Sequence, residues 1–198
     1  MKLFPKLQEI KDEIALSWAR GRPFLLQGGQ RGGKTTMATS LVAEVVLCEA
    51  PSPRVYFVAP TVKFGKAVVG GFLEDRGIKV LYKTPDQLLI SIEAARRNRK
   101  PHPIQDGDVV ILDEAFWLGE RAQRLFWLAS RQTARVLAIG SAGTQPWSCD
   151  SLIHKYATWE LNPSISRQDL TDEFARDPVR AERDYGIPDV RKSKVFEL

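Results

Sequence analysis

An open α/β fold, a mostly parallel β-sheet flanked by helices, is predicted by three observations. Short apolar runs alternate with helical patterns along the chain. One run, Asp108-Val109-Val110-Ile111-Leu112, is apolar throughout after its first residue, as suits a strand buried on both faces. The runs end in polar or glycine-rich clusters, where an open parallel sheet places its ligand, beyond the carboxyl ends of its strands. A chain of 198 residues is long enough for one well-buried domain and short for two.

Taken in order, Leu7, Ile10, Ile14 and Trp18 recur at helical spacing and predict an amphipathic helix, ended by Gly21 and Pro23. Phe24-Leu25-Leu26-Gln27 is the first strand. A helix over Lys34–Cys48 follows, with Leu41, Val42, Val45 and Val46 towards the sheet, and Ala50-Pro51-Ser52-Pro53 breaks it. Arg54 to Ala59 reads as a strand and Val62 to Glu74 as a helix that Gly70 and Gly71 weaken late. Two weaker strands are expected near Ile78–Leu81 and Gln87–Ile92. The stretch from Ala94 to Pro103 holds four positive charges in five residues and closes on two prolines, so it reads as an exposed loop or ragged helix end. His102, between those prolines, has no metal-like spacing around it. After the Asp108–Leu112 strand come a helix over Glu120–Ser130 and a strand over Arg135–Gly140. Ser151–Tyr156 suggests a short helix, Thr158–Leu161 an extended piece and Asn162-Pro163-Ser164 a turn. Ser166–Ala175 and Pro178–Tyr185 look like two final helices. The expected organisation is one domain over 1–198, with a leading helix over 1–20, a closing helical segment over 145–186 and a tail or linker over 187–198.

The totals exclude little. A net charge of +5 points mildly to an acidic partner such as nucleic acid. Cys48 and Cys149 are far apart without metal spacing, which suggests a reducing compartment and buried thiols. The first twenty residues are too charged for a signal peptide, and no apolar run is long enough for a membrane span.

The chemistry concentrates in Gly28-Gly29-Gln30-Arg31-Gly32-Gly33-Lys34-Thr35-Thr36, which fills the spacing G-x-x-x-x-G-K-[ST] of a phosphate-binding loop between a strand and a helix. The glycines let backbone N–H groups curl around phosphates, and the following helix aims its positive end at the same anion. Lys34 suits the β- and γ-phosphates of a nucleoside triphosphate, and Thr35 offers a hydroxyl to Mg²⁺. Asp113, delivered by the apolar strand, suits the water shell of the same Mg²⁺. Glu114 is placed to orient or deprotonate the water that attacks the γ-phosphate. Ser141 and Thr144, at the end of a strand expected beside the loop strand, are candidates for sensing that phosphate; a polar strand-to-loop turn accounts for them equally well. Arg31 suggests charge stabilisation from within the loop. Gln8, upstream, is a candidate reader of the adenine edge, with an exposed helix residue as the alternative. Hydrolysis of this kind usually takes a further arginine worth about 10³–10⁵ in rate. Arg96, Arg97 and Arg99 are the candidates for supplying it from a neighbouring subunit.

The ordered set resembles the ATPase domain of large terminase subunits, the motors that package DNA into tailed-virus capsids. Gly28 to Thr36 resembles their phosphate loop, including its basic residue. Val58-Ala59-Pro60-Thr61 is similar to their "A-P-T" segment, and Val109 to Ala115 to their metal-binding strand and catalytic glutamate. Ser141-Ala142-Gly143-Thr144 sits where they carry the coupling motif. Trp159-Glu160-Leu161-Asn162-Pro163 and Arg183-Asp184-Tyr185-Gly186 look like the closing part of the domain. The resemblance implies a RecA-like sheet of the P-loop NTPase kind, with the catalytic strand next to the loop strand. It implies ATP and Mg²⁺ as cofactors, and double-stranded DNA as a partner gripped through its phosphates. It further implies a homo-oligomeric ring, of five subunits by analogy, a viral portal and a small terminase subunit as partners, no membrane, and the cytoplasm of a bacterial host cell. A full large terminase continues into a nuclease domain, and no DNA cleavage is expected from this chain. Three other readings compete: a helicase-like ATPase, which needs a second RecA-like domain; a nucleotide-regulated assembly protein, against which Glu114 argues; and a small-molecule kinase, for which a lid with paired arginines is missing.

Overall fold

The computed structural model describes residues 2–49, 51–142, 147–148 and 152–187. Six strands form one parallel sheet in the order β3-β2-β4-β5-β1-β6. They are β1 (Phe24–Gly28), β2 (Val55–Val58), β3 (Val80–Lys83), β4 (Val109–Leu112), β5 (Val136–Gly140) and β6 (His154–Tyr156). The pattern of side chains explains the layering. Alternate residues of each strand point to opposite faces, so Leu26, Phe57, Ile111 and Ile139 join one core and Leu25, Val58, Leu112 and Ala138 the other.

Helices α1 (Pro5–Ala19) and α2 (Lys34–Cys48) cover the first face, packing Leu7, Ile10, Ile14, Leu41 and Val42 against it. Helices α5 (Pro85–Arg97) and α6 (Gly119–Ser130) cover the second with Leu88, Leu89, Ile92, Leu125 and Phe126. The expected helix from Val62 to Glu74 is present as α3 (Val62–Gly65), a π-helical turn over Lys66–Gly70 and α4 (Gly71–Glu74). Thr61 caps its start by accepting a hydrogen bond from the Phe64 N–H. The chain closes with α7 (Thr158–Leu161), a 3₁₀ turn over Gln168–Leu170, α8 (Thr171–Arg176) and α9 (Pro178–Tyr185). No helix among the described residues is long and apolar enough to cross a membrane.

The structure corrects several expectations. Gln87–Ile92 is helix, not strand: Thr84 and Gln87 form a reciprocal capping box around Pro85, and Leu88, Leu89 and Ile92 share a helical face. Beyond Leu152 the closing elements are exchanged: His154–Tyr156 is a strand paired to β1, and Thr158–Leu161 is a helical turn. Strand character comes here from tertiary pairing along the free edge of β1, with His154 stacked on Phe24 at 4.3 Å, rather than from an apolar run. Cys48 is exposed at the end of α2, not buried. Cys149 lies outside the described residues, as do most of the tail over 187–198 and the beginning of the closing segment.

The placement of the catalytic strand is also corrected. β4 does not adjoin β1; β5 lies between them. Neighbouring strands are about 4.8 Å apart, so the inserted strand opens a gap of roughly 10 Å between the loop strand and the strand carrying Asp113. That spacing leaves room for phosphoryl oxygens between the two. The strand ending at Ser141 does lie beside the loop strand, as expected.

Candidate active site

The carboxyl ends of β1, β5, β4 and β2 line up, because Gln27 is in register with Gly140, Ala138 with Leu112 and Leu112 with Val58. The segments leaving those ends enclose a cleft of about 570 Å³ lined by Gln30 to Thr36, Pro60, Glu114, Trp117 and Ser141. That volume is within the range of small-molecule sites, roughly 300–1,000 Å³.

Lys34, at the first position of α2, is buried, and its Nζ donates to the Gly29 carbonyl at 2.8 Å. Burial holds its ammonium below the ordinary lysine value, at about 8, although Glu114 and Asp113 pull it upward. Asp113 is also buried. Its two carboxylate oxygens each lie 3.3 Å from the Thr35 hydroxyl, which donates to them across the gap. Burial pushes the Asp113 carboxyl up to about 6, helped by the Glu114 charge; the Glu114 N–H, the Thr35 hydroxyl and Lys34 pull the other way. The pair fits Mg²⁺: both groups are hard oxygen donors, and this ion is usually held by one or two protein oxygens with phosphates and water completing its shell. Among the described residues, no three His, Cys, Asp or Glu side chains gather into a metal cage of their own.

Glu114 stands in a left-handed backbone conformation, φ 52°. A non-glycine residue there is held by its surroundings and commonly marks function. Here the Glu114 N–H donates to Asp113 Oδ1 at 3.0 Å, and the next N–H, of Ala115, donates to the Ile139 carbonyl at 2.9 Å. The glycine at the end of β5 lets the turn approach closely: a Cβ on Gly140 would stand 3.2 Å from the Glu114 Cα, a contact that would press the turn outward. Arg31, inside the loop, is exposed on the cleft wall and likewise left-handed, φ 60°.

The outer side of the loop is gripped by the closing segment. The Gly29 N–H donates to the Tyr156 carbonyl and the Gln30 N–H to the Asp184 carbonyl, at 3.1 and 2.6 Å. Thr158 Oγ1 donates to the Gln30 carbonyl at 2.8 Å, and Asn162 Nδ2 to the Arg31 carbonyl at 3.0 Å. Leu161 packs under Gly28 and Gly32. A Cβ on Gly29 would lie 2.1 Å from Thr158 Oγ1 and 2.5 Å from the Tyr185 carbonyl oxygen. Gly29→Ala is therefore expected to cost about 1–3 kcal/mol of stability, checked by denaturant unfolding. An unchanged midpoint would show that the grip is loose.

The remaining sequence candidates separate. Ser141 is buried on the cleft wall, and Thr36 lines the mouth. Thr144 lies outside the described residues. Gln8 is on the exposed face of α1, donating to Asp12 one turn on at 2.9 Å, although its neighbour Leu7 packs beneath Gly33. Arg96 and Arg97 occupy the last turn of α5, and Arg99 follows it. That helix runs back from the end of β3 towards the start of β4, so its chain's own cleft receives none of the three. Pro60 and Trp117 were not anticipated on the wall. Arg183 was not anticipated either; its guanidinium stands 5.1 Å from the Trp117 ring centre and its Nε donates to Asp184 Oδ1 at 3.0 Å. The Asp-Glu turn and an aromatic three residues on were visible signals for Trp117; nothing local marked Arg183.

The acid and base limbs of activity follow from the two shifted groups. Metal binding needs Asp113 ionised, so it is present above about pH 6 and lost as pH falls through that value. Phosphate attraction needs Lys34 charged, so it is lost as pH rises through about 8. The expected kcat/KM profile for ATP is a bell with limbs near those two values, since this ratio reports the free enzyme. A rate flat from about pH 5 to about pH 9 would contradict the assignment.

A family described as "Uncharacterized protein MJ0330, N-terminal P-loop domain" matches residues 147–186, the segment that grips the loop. No curated protein matches the sequence. Among solved structures, the chain is similar to the large terminase ATPase domain of Thermus phage P74-26, at 14% identity and a TM-score of 0.51, over 87% of this chain and 91% of that one. It is similar to the large terminase of another thermophilic bacteriophage, in complex with ADP, at 14% identity and a TM-score of 0.55, over 87% of this chain and 50% of that one. It is also similar to a nuclease-deletion mutant of the Type ISP restriction-modification enzyme LlaGI bound to a DNA substrate mimic, at 12% identity and a TM-score of 0.53, over 92% of this chain and 24% of that one. At these identities the likeness shows the fold alone: a RecA-like parallel α/β sheet flanked by helices.

Proposed function

We propose that the chain is the ATP-hydrolysing motor domain of a viral DNA-packaging terminase. The observation that carries hydrolysis is Glu114, held left-handed at the end of β4 across one inserted strand from the phosphate loop. A protein that only held nucleotide would have no use for a strained carboxylate facing Lys34 and Thr35. In the proposed mechanism the loop N–H groups and Lys34 hold the β- and γ-phosphates, and Thr35 and Asp113 hold Mg²⁺. An Mg²⁺ held by these two residues would supply positive charge to offset that on the phosphates. Glu114 accepts a proton from, or orients, the attacking water. Arg31 neutralises charge on the transferring phosphoryl group, and Ser141 registers its presence. Roles for Gln8 at the base and for Arg97 and Arg99 from a neighbouring subunit belong to the same proposal.

Packaging is supported by the terminase likeness, which spans most of this chain and nearly all of the P74-26 domain. It brings duplex DNA, a ring of subunits, and the portal and small terminase subunit as partners. The likeness to LlaGI, described in complex with a DNA substrate mimic, favours one second reading, a nucleic-acid-stimulated ATPase of which a helicase-like enzyme is one kind. ATPase rate measured against protein concentration, without DNA, with duplex DNA and with single strands, separates these outcomes. A rate rising faster than linearly and stimulated by duplex DNA supports a ring motor. Stimulation by single strands alone favours the helicase-like reading. No hydrolysis under any condition would sink both.

A further inference from the structure

We infer that Thr158 and Asn162 are positioning residues for phosphate binding, acting from outside the loop by fixing which way its peptide groups face. This inference rests on the phosphate-binding reading of the cleft. In a planar trans peptide the C=O and the following N–H point in opposite directions. Thr158 Oγ1 holds the Gln30 carbonyl outward at 2.8 Å, so the Arg31 N–H faces the other way, towards the cleft that Arg31 lines. Asn162 Nδ2 holds the Arg31 carbonyl outward at 3.0 Å, which turns the Gly32 N–H away from the closing segment as well. The Gly32 N–H makes one long bond, 3.3 Å, to the Gly29 carbonyl, and the Arg31 N–H makes none among the described residues.

Both clamps are themselves fixed. Thr158 is fully buried at the start of α7. Asn162 ends α7, and its Oδ1 accepts the Ser164 N–H at 3.1 Å, which assigns its amide nitrogen to Arg31. The left-handed backbone at Arg31, φ 60°, lies between the two clamped carbonyls. A loop free of them would relax towards ordinary dihedrals, and its N–H groups would no longer converge. The anion cradle is thus built by residues more than a hundred positions further along the chain.

The test compares Thr158→Val, Thr158→Ser, Asn162→Ala and Asn162→Asp with the parent in calorimetric titration with Mg·ATPγS, alongside thermal melting without nucleotide. Valine keeps the shape of threonine without its hydroxyl, and aspartate keeps the shape of asparagine without its N–H donors. Thr158→Val, Asn162→Ala and Asn162→Asp should each weaken binding about 3–30-fold, the worth of one lost hydrogen bond. Thr158→Ser should bind within about threefold of the parent, because the hydroxyl remains. Parent-like binding by both Thr158→Val and Asn162→Ala overturns the inference while leaving the nucleotide site intact. Equal weakness of Thr158→Ser and Thr158→Val would assign the loss to packing and overturn it for Thr158. Should Thr158→Val fail to fold, the two Asn162 variants decide, since that side chain is only half-buried. A parent that binds no nucleotide removes the reading of the site itself, and this inference with it.

Discussion

Glu114→Gln is expected to slow ATP hydrolysis by about 10²–10⁴-fold, the worth of a positioned general base. Nucleotide affinity should stay within about threefold of the parent, because in the proposed mechanism the glutamate meets the attacking water and not the phosphates already bound. The amide keeps the shape and the hydrogen-bonding reach of the carboxylate while losing its ability to take a proton. The backbone turn should survive, since it is held by the Glu114 N–H on the Asp113 carboxylate and the Ala115 N–H on the Ile139 carbonyl. Single-turnover hydrolysis and a separate Mg·ATPγS titration check the two halves. A parent-like rate would mean that water is activated elsewhere. A rate and an affinity that fall together would mean that the substitution has disturbed Asp113, the proposed metal ligand, one residue before.

Arg31→Ala is expected to cost as much or more, about 10³–10⁵ in kcat, the range for an arginine on a transferring phosphoryl group. That is roughly 4–7 kcal/mol of barrier. The side chain lines the cleft from within the loop, and its backbone is already held in a costly conformation. Alanine leaves that backbone no more comfortable, so the comparison isolates the guanidinium. Arg31→Lys should recover part of the loss, since a point charge remains but the planar fork does not. A fall smaller than about tenfold would pass the role to another cation. Arg183, 5.1 Å from the ring centre of the cleft-lining Trp117, is the first of these to test, and Arg97 and Arg99 of a neighbouring subunit come after it.

Much of this site was legible in the sequence because its chemistry is local. The phosphate loop is one continuous stretch, and α2 runs from Lys34 to Cys48 as its periodicity predicts. Asp113 and Glu114 follow four buried apolar residues, a signal that needs no partner to be read. Gln87–Ile92 was misread although a local signal existed: the Thr84–Gln87 capping box outweighs the β-branched character of the run. His154–Tyr156 offered no such signal. Three residues are too few for a period, and they are a strand only because β1 has an open edge beside them. The adjacency of β5 rather than β4 to β1 is a property of the whole sheet, as is the contact of Arg183 with Trp117. Pairings between distant residues are where a single sequence carries least.

The grip of residues 156–184 on the loop over 28–33 has a consequence in time. The loop and its helix leave the ribosome early, and β4 and β5 are complete by Gly140, yet the bonds from Tyr156, Thr158, Asn162 and Asp184 are still to come. Until that last stretch has emerged, β1 remains an unpaired edge and the loop is free to sample other shapes. Synthesis at about 5–20 residues per second separates the loop from its clamps by several seconds or more. The nascent chain would therefore carry the nucleotide motif well before it can use it, and competence would arrive in a single late step as the loop meets its clamps.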